Sequence, residues 1–339
     1  MVSGLVDEIV AAREELASVA PDQWYDRLER DDEQLQASLR ALREADPERG
    51  LEVVAILWPF WVARGRLFEG RAWLDDFLVR ADALRQPAHR AKALYGAGVL
   101  AFLQGESTAA SERLRESLTL ARGLGDRGLE ADALVSLARV AMFERDPVAM
   151  EARARESAEA ARAGDDERKY ATALHHVAEA LRRQGRYDEA DPLYREAIER
   201  HRSVGDRRSV ALELHNLGRL ERLTGDRLSA AGRFRESLAL AGELRHERLV
   251  AYCLLGLANL AADDGDLVRA CELIGAADAR LAAVGAALEP EYADDREETL
   301  KRAAASLGEG ESARAYGAGR GLAYDESVRL GATPDAQPR

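Results

Sequence analysis

His175 and Glu179 stand four residues apart in the middle of the chain, and His215 follows one repeat later. Residues four apart on a helix share a face, so an imidazole and a carboxylate at that spacing supply two of the donors a zinc ion takes. The string around them, HHVAE, is not the H-E-x-x-H pattern that sets two imidazoles and a general base on one helix. The third donor is distant in sequence. The residues predict neither a metal site nor any other cofactor. Nucleophilic chemistry has no better support. Ser111, Ser117 and Ser237 fall where the pattern described below needs a small side chain, and Cys253 and Cys271 fall on apolar helix stripes, where buried free thiols are common. No Ser–His–Asp or Cys–His arrangement emerges, so the chain is expected not to be an enzyme. What remains is recognition: Arg139, Arg182, Arg219 and Arg222 carry planar guanidinium forks that suit carboxylates or phosphates.

These residues are positioned by a repeat. Gly65, Gly105, Gly185, Gly225 and Gly265 keep a constant spacing of 40 residues, with Arg145 in the one gap. Ahead of each lies an apolar position (Val54, Leu94, Leu134, Leu174, Leu214, Leu254) and then a small one (Gly98, Ala138, Ala178, Gly218, Ala258). Behind it lie an alanine (Ala110, Ala190, Ala230, Ala270) and a larger filler (Leu114, Tyr194, Phe234, Ile274). The pattern predicts two amphipathic helices per unit, A and B, approaching closely at the small residues and separated by a turn whose glycine takes the left-handed conformation. Asp126, Asp206 and Asp266 are placed to cap the helices that follow them. A single hairpin leaves an apolar face exposed, so neighbours must stack.

The fold class expected is therefore all-α: a right-handed superhelical solenoid of antiparallel helix hairpins. Its small–large–small pattern resembles the tetratricopeptide class, with a period of 40 residues in place of about 34. Residues 1–46 read as an N-terminal helical cap, with helices over 5–19 and 22–45 and a turn at Pro21 and Asp22. Residues 47–286 read as six repeats, the first made atypical by Trp58, Phe60, Trp61 and Trp73, which are expected to pack on helix 22–45. Residues 287–331 break the period and read as capping helices near 291–307, 310–319 and 323–330. Residues 332–339 read as a disordered tail.

Composition agrees. Ala, Leu, Arg and Glu dominate, which favours helix. The net charge of −13 argues against direct nucleic-acid binding, which needs a basic face to neutralise phosphates. No run of about 18 apolar residues could cross a membrane, and the first 20 residues lack the apolar core of a signal peptide, so a cytoplasmic protein is expected.

Several segments carry a closer resemblance. WYDRLERDDEQLQASLRAL, LWPFWVARGRLFEGRAWLDDFL, the repeat endings LGD and VGD, ACELIGAADARLAAVG and ARAYGAGRGLAYDESVRL are together similar to the C-terminal MalT-like tetratricopeptide region of large bacterial signal-transducing NTPase regulators, LuxR-type and antibiotic-regulatory activators among them. The resemblance spans about 22–331. It implies a sensor arm that binds an inducer or partner protein and controls an NTPase. The chain departs from those regulators in having no G-x-x-x-x-G-K-[ST] phosphate loop and no segment that reads as a DNA-binding domain. It reads as a stand-alone sensor or as a piece of a longer protein, and a separate NTPase or transcription regulator is a candidate partner.

In tetratricopeptide arrays helix A lines the concave face. Three registers there read Tyr95, Val135, His175, His215, Leu255; then Val99, Arg139, Glu179, Arg219, Asn259; then Phe102, Met142, Arg182, Arg222, Ala262. Asn216 adds an amide. The expectation is a groove for a protein or peptide, with apolar groups near Tyr95, Phe102 and Met142 and an acidic group near the arginines. Two alternatives stay open. An enclosed pocket among Tyr95, Phe102, Met142, Phe143 and Tyr252 would suit a small-molecule inducer, and the end segments could serve oligomerisation.

Overall fold

The computed structural model describes residues 2–16, 22–81, 86–286, 288 and 290–333. Regular structure among the described residues is helical throughout. The chain divides into two compact units, Met1–Ala180 and Leu181–Arg339. The first contains α1 (Val2–Ala11), α2 (Arg13–Leu16), α3 (Asp22–Arg30), α4 (Asp32–Ala45), α5 (Pro47–Ala63), α6 (Leu67–Arg80), α7 (Pro87–Leu103), α8 (Ser107–Leu124), α9 (Arg127–Phe143), α10 (Pro147–Ala163) and most of α11 (Glu167–Arg183). The second contains α12 (Tyr187–Ser203), α13 (Arg207–Leu223), α14 (Arg227–Glu243), α15 (Glu247–Asp263), α16 (Leu267–Ala283), α17 (Pro290–Leu307), α18 (Glu309–Arg320) and α19 (Tyr324–Ala332).

The backbone repeats at half the period visible in the side chains. Helices α9 to α16 are each 17 residues long. Each is followed by a turn whose second residue has positive φ: Arg145 (60°), Asp165 (53°), Gly185 (74°), Gly205 (71°), Gly225 (89°), Arg245 (52°), Gly265 (83°) and Gly285 (60°). In most turns an aspartate comes next and caps the following helix. Asp126, Asp146, Asp206, Asp226 and Asp266 each accept from the backbone N–H three residues on, as does Asp166. His246 does the same through Nδ1.

Close approach within hairpins falls where the small residues predict. A Cβ on Gly98 would lie 2.7 Å from Leu114 Cγ, and one on Gly218 would lie 3.0 Å from the Phe234 ring. The serines at these positions do more than save space. Ser117 and Ser157 in the first unit, and Ser237 in the second, donate to the carbonyls of Ala91, Ala131 and Ala211 at 2.8, 2.9 and 2.6 Å, pinning helix B to helix A. Cys253 bonds Ser237 at 3.1 Å, and both cysteines are free and buried.

At the start of the first unit the expected helix over 22–45 is interrupted at Asp31 (φ −96°, ψ 22°). Two adjacent aspartates there favour a helix start over continuation. Tyr25 and Phe60 rings pack at 5.8 Å, Trp73 Nε1 donates to Gln36 at 3.1 Å and Arg66 pairs with Asp32 at 2.7 Å. The aromatic first repeat is thus bound to α3 and α4. The expected turn at Pro21 and the end of the expected helix over 5–19 lie outside the described residues, as do positions 334–339 of the expected tail.

At the end of the second unit α18 crosses α16 at glycines. A Cβ on Gly275 would lie 2.1 Å from the Tyr316 carbonyl oxygen, and one on Gly319 would lie 1.8 Å from that of Glu272. These two backbones meet only because neither position carries a side chain.

Candidate functional site

In the first unit the predicted helix-A positions form an aromatic strip. Tyr95, on α7, meets Trp58 edge-on at 5.4 Å, and its hydroxyl accepts from Ser136 Oγ at 3.4 Å. Burial pushes that hydroxyl's pKa up to about 12. Phe102, at the end of α7, lies under the Arg139 guanidinium at 5.1 Å and edge-on to Phe143 at 6.1 Å. Met142 beside them is half-buried. Phe143 is 66% exposed, so this end of the strip is open to solvent. On α11, His175 is half-buried and stands edge-on to His176 at 4.8 Å. His176, which the sequence did not single out, is buried. Desolvation, then the charges of His175 and Arg139, pull its pKa well below the ordinary imidazole value. Glu179 is buried on the same helix.

In the second unit the predicted positions converge on two residues of α17. His215, on α13, is wholly buried, and its Nε2 lies 2.8 Å from the hydroxyl of Tyr292 on α17. Arg219, one turn along α13, donates to the same hydroxyl at 3.1 Å and lies over the Tyr292 ring at 4.5 Å. Tyr252, on α15, stacks on Tyr292 at 4.5 Å with the planes 2° apart. One turn further, Asn259 donates to Asp295 at 3.0 Å, and Arg222 pairs with Asp263 at 3.1 Å and reaches Asp295 at 3.6 Å. Five predicted residues (His215, Arg219, Arg222, Tyr252 and Asn259) thus share one site, and Tyr292 and Asp295 fill it. Arg182 and Asn216 are buried in this unit. Among the described residues no group of three or more His, Cys, Asp or Glu side chains is placed to hold a metal.

The sequence reading missed Tyr292 and Asp295. Their signal was the string EYADDREE, an aromatic residue and acids spaced one helical turn apart where the repeat breaks down. It also missed a surface crevice of about 350 Å³. Its apolar lining is Val210, Ala239 and Leu240, with Arg202, Arg207 and Glu236 at its edge. Arg202 and Glu236 pair across it at 2.8 Å, and none of the predicted residues lines it.

Residues 169–243 match the tetratricopeptide repeat family. No curated protein sequence matches the chain. Solved structures share its fold. NprR in complex with its cognate peptide NprX is 18% identical with a TM-score of 0.59, covering 97% of this chain and 95% of that one. A Rap protein complexed with competence and sporulation factor is 14% identical with a TM-score of 0.60, covering 96% and 99%. Aspartyl phosphate phosphatase F from Bacillus subtilis is 10% identical with a TM-score of 0.62, covering 90% and 78%. At these identities the likeness is one of fold: helix hairpins of the tetratricopeptide type. No helix among the described residues is long and apolar enough to cross a membrane.

Proposed function

We propose that the chain is a non-enzymatic tetratricopeptide scaffold that binds a protein or peptide segment through the helix-A face of its repeats, in a bacterial regulatory setting. In this reading residues 1–46 and 287–331 are the end caps of six repeats over 47–286. The observation that carries the proposal is the second unit's site. There, helix-A side chains hold a tyrosine and a carboxylate brought by a segment outside the repeats, which is how a recognition groove holds a ligand. Two fold neighbours were solved in complex, NprR with its cognate peptide and a Rap protein with competence and sporulation factor, and the first supports a peptide as ligand class. The MalT-like segments support the regulatory setting. Against a small-molecule receptor stands the exposure of Phe143, which leaves that end of the aromatic strip open to solvent.

The test is a displayed library of acidic peptides panned against the full chain. Binders are expected to be enriched, and their capture to fall by about tenfold in Arg139→Glu and in Arg222→Glu, the loss of one charge-assisted contact. No enrichment, or enrichment indifferent to both reversals, sinks the reading.

A further inference from the structure

Resting on that reading and naming its ligand, we infer that His215, Arg219, Tyr252 and Asn259 form a recognition site for a segment carrying a tyrosine and, one helical turn later, a carboxylate, and that the first two turns of α17, bearing Tyr292 and Asp295, are its ligand in cis. A partner with the same pair of groups displaces Tyr292 and Asp295.

Three observations carry this. The first is that the site is polar where coverage of an end repeat needs only apolar contact. Its registers hold Val135 and Leu255 elsewhere, yet here a wholly buried imidazole, a guanidinium and an amide each meet a matching group on α17. Buried polar groups persist only when such partners are supplied. The second is that the contact is divided along α17. Arg296 on Asp278 at 3.0 Å and Arg302 on the Ala262 carbonyl at 3.0 Å hold the rest of the helix, so only the turns bearing Tyr292 and Asp295 have to leave. Asp295 is already 47% exposed. The third is charge: the occupying string EYADDREE is acidic and its Asp295 lies 3.6 Å from Arg222, which fixes the sign of a competing segment. Because α17 is tethered close to its site, its effective concentration is on the order of millimolar. A free competitor therefore meets a site that is open only part of the time, and its apparent affinity falls by that fraction.

The experiment uses the full chain and a labelled peptide of residues 286–298, AALEPEYADDREE, followed by fluorescence anisotropy. The peptide is expected to bind Tyr292→Ala/Asp295→Ala at least about tenfold more tightly than it binds the wild type, and the added Arg219→Glu is expected to abolish that binding. If the double variant does not fold by circular dichroism, Asp295→Ala, which removes a half-exposed group, is used and is expected to give an intermediate gain. Equal binding to wild type and variant, no binding to a folded variant, or binding that survives Arg219→Glu overturns the inference. Failure here with peptides still enriched in the panning leaves the scaffold reading standing with a different ligand. Binding of this peptide with no enrichment there keeps the self-contact and sinks the scaffold reading.

Discussion

Arg139 and Arg219 occupy the same repeat position, one in each unit, and both lie over an aromatic ring. In the first unit the ring is Phe102, at 5.1 Å, on the helix A one repeat back. In the second it is Tyr292, at 4.5 Å, delivered by a helix outside the repeats. Tyr95 and His215 also share a position: Tyr95 finds a serine of the next repeat, while His215 finds the Tyr292 hydroxyl. The aromatic strip of the first unit, Tyr95 and Phe102, is held by neighbours within that unit. The second has polar groups there that require a hydroxyl and a carboxylate from elsewhere, because an imidazole or guanidinium buried without partners costs far more than a ring left beside solvent. The buried polar groups around Tyr292 therefore specify what fills that site, and the aromatic strip of Tyr95 and Phe102 does not.

The largest expected effect breaks the delivery of α17. Gly319→Ala places a methyl group 1.8 Å from a backbone carbonyl of α16, which no side-chain rotation relieves. A loss of about 3 kcal/mol is expected, the upper end of overpacking costs, together with weakened docking of α17 and gain of peptide binding in trans. Gly98→Ala in the first unit meets chiefly the movable Leu114 side chain, with the Ala110 carbonyl oxygen further off at 3.3 Å, and should cost about half as much. Gly317, with nothing within 4 Å, is the control. Gly317→Ala within α18 should stabilise by about 0.5–1 kcal/mol through helix propensity. Urea melts of the three variants that failed to rank in this order would refute the backbone-contact account.

A smaller change sharpens the contrast between the two tyrosines. Tyr292→Phe keeps the ring stack and removes the hydroxyl that His215 and Arg219 share, at an expected cost of about 1–3 kcal/mol. Tyr95→Phe removes a hydroxyl whose one bond, to Ser136, is 3.4 Å long. It should cost about 0.5 kcal/mol or less. Equal losses in denaturant melts would mean that both halves of the helix-A face are held in the same way.

The sequence made the hairpins legible because close approach and turn geometry act through neighbours in the chain. Gly98 and Gly218 must be small, and the turn glycines must reach positive φ. The half-period was hidden because Arg145, Asp165 and Arg245 take that conformation without being glycine, and because helices A and B share caps and turns but not faces. At the site, His215, Arg219 and Asn259 were visible as polar residues on helix A. Their partner was not, since Tyr292 lies 77 residues from His215 and outside the period that made the other positions predictable. Likewise, the glycines of YGAGRG carry no signal of a helix crossing until α16 is known to lie against them.

The smallest effect concerns the one imidazole among these aspartate caps. His246 accepts the Leu249 N–H at 3.2 Å through Nδ1, which a protonated ring cannot do, and a cation is disfavoured at a helix N-terminus. Burial, then the nearby Arg208 charge, hold its pKa below the ordinary imidazole value. A pKa lowered in the folded state gives stability that is present above the unfolded value near 6.5 and is lost as pH falls below it. Buried His176 in the first unit has the same sign. Wild-type stability should therefore drop between pH 7.5 and 5.5. His246→Asp, which restores the cap used elsewhere, should recover only the share that belongs to α15, about 0.5 kcal/mol once solvent screening of a half-buried group is allowed for. The diagnostic is the difference between the variant's gain in urea melts at pH 5.5 and at pH 7.5. A gain of the same size at both values would show that the imidazole cap does not titrate in this range, and the acid sensitivity would then lie with the other imidazoles that burial holds low, His89 and His176 of the first unit.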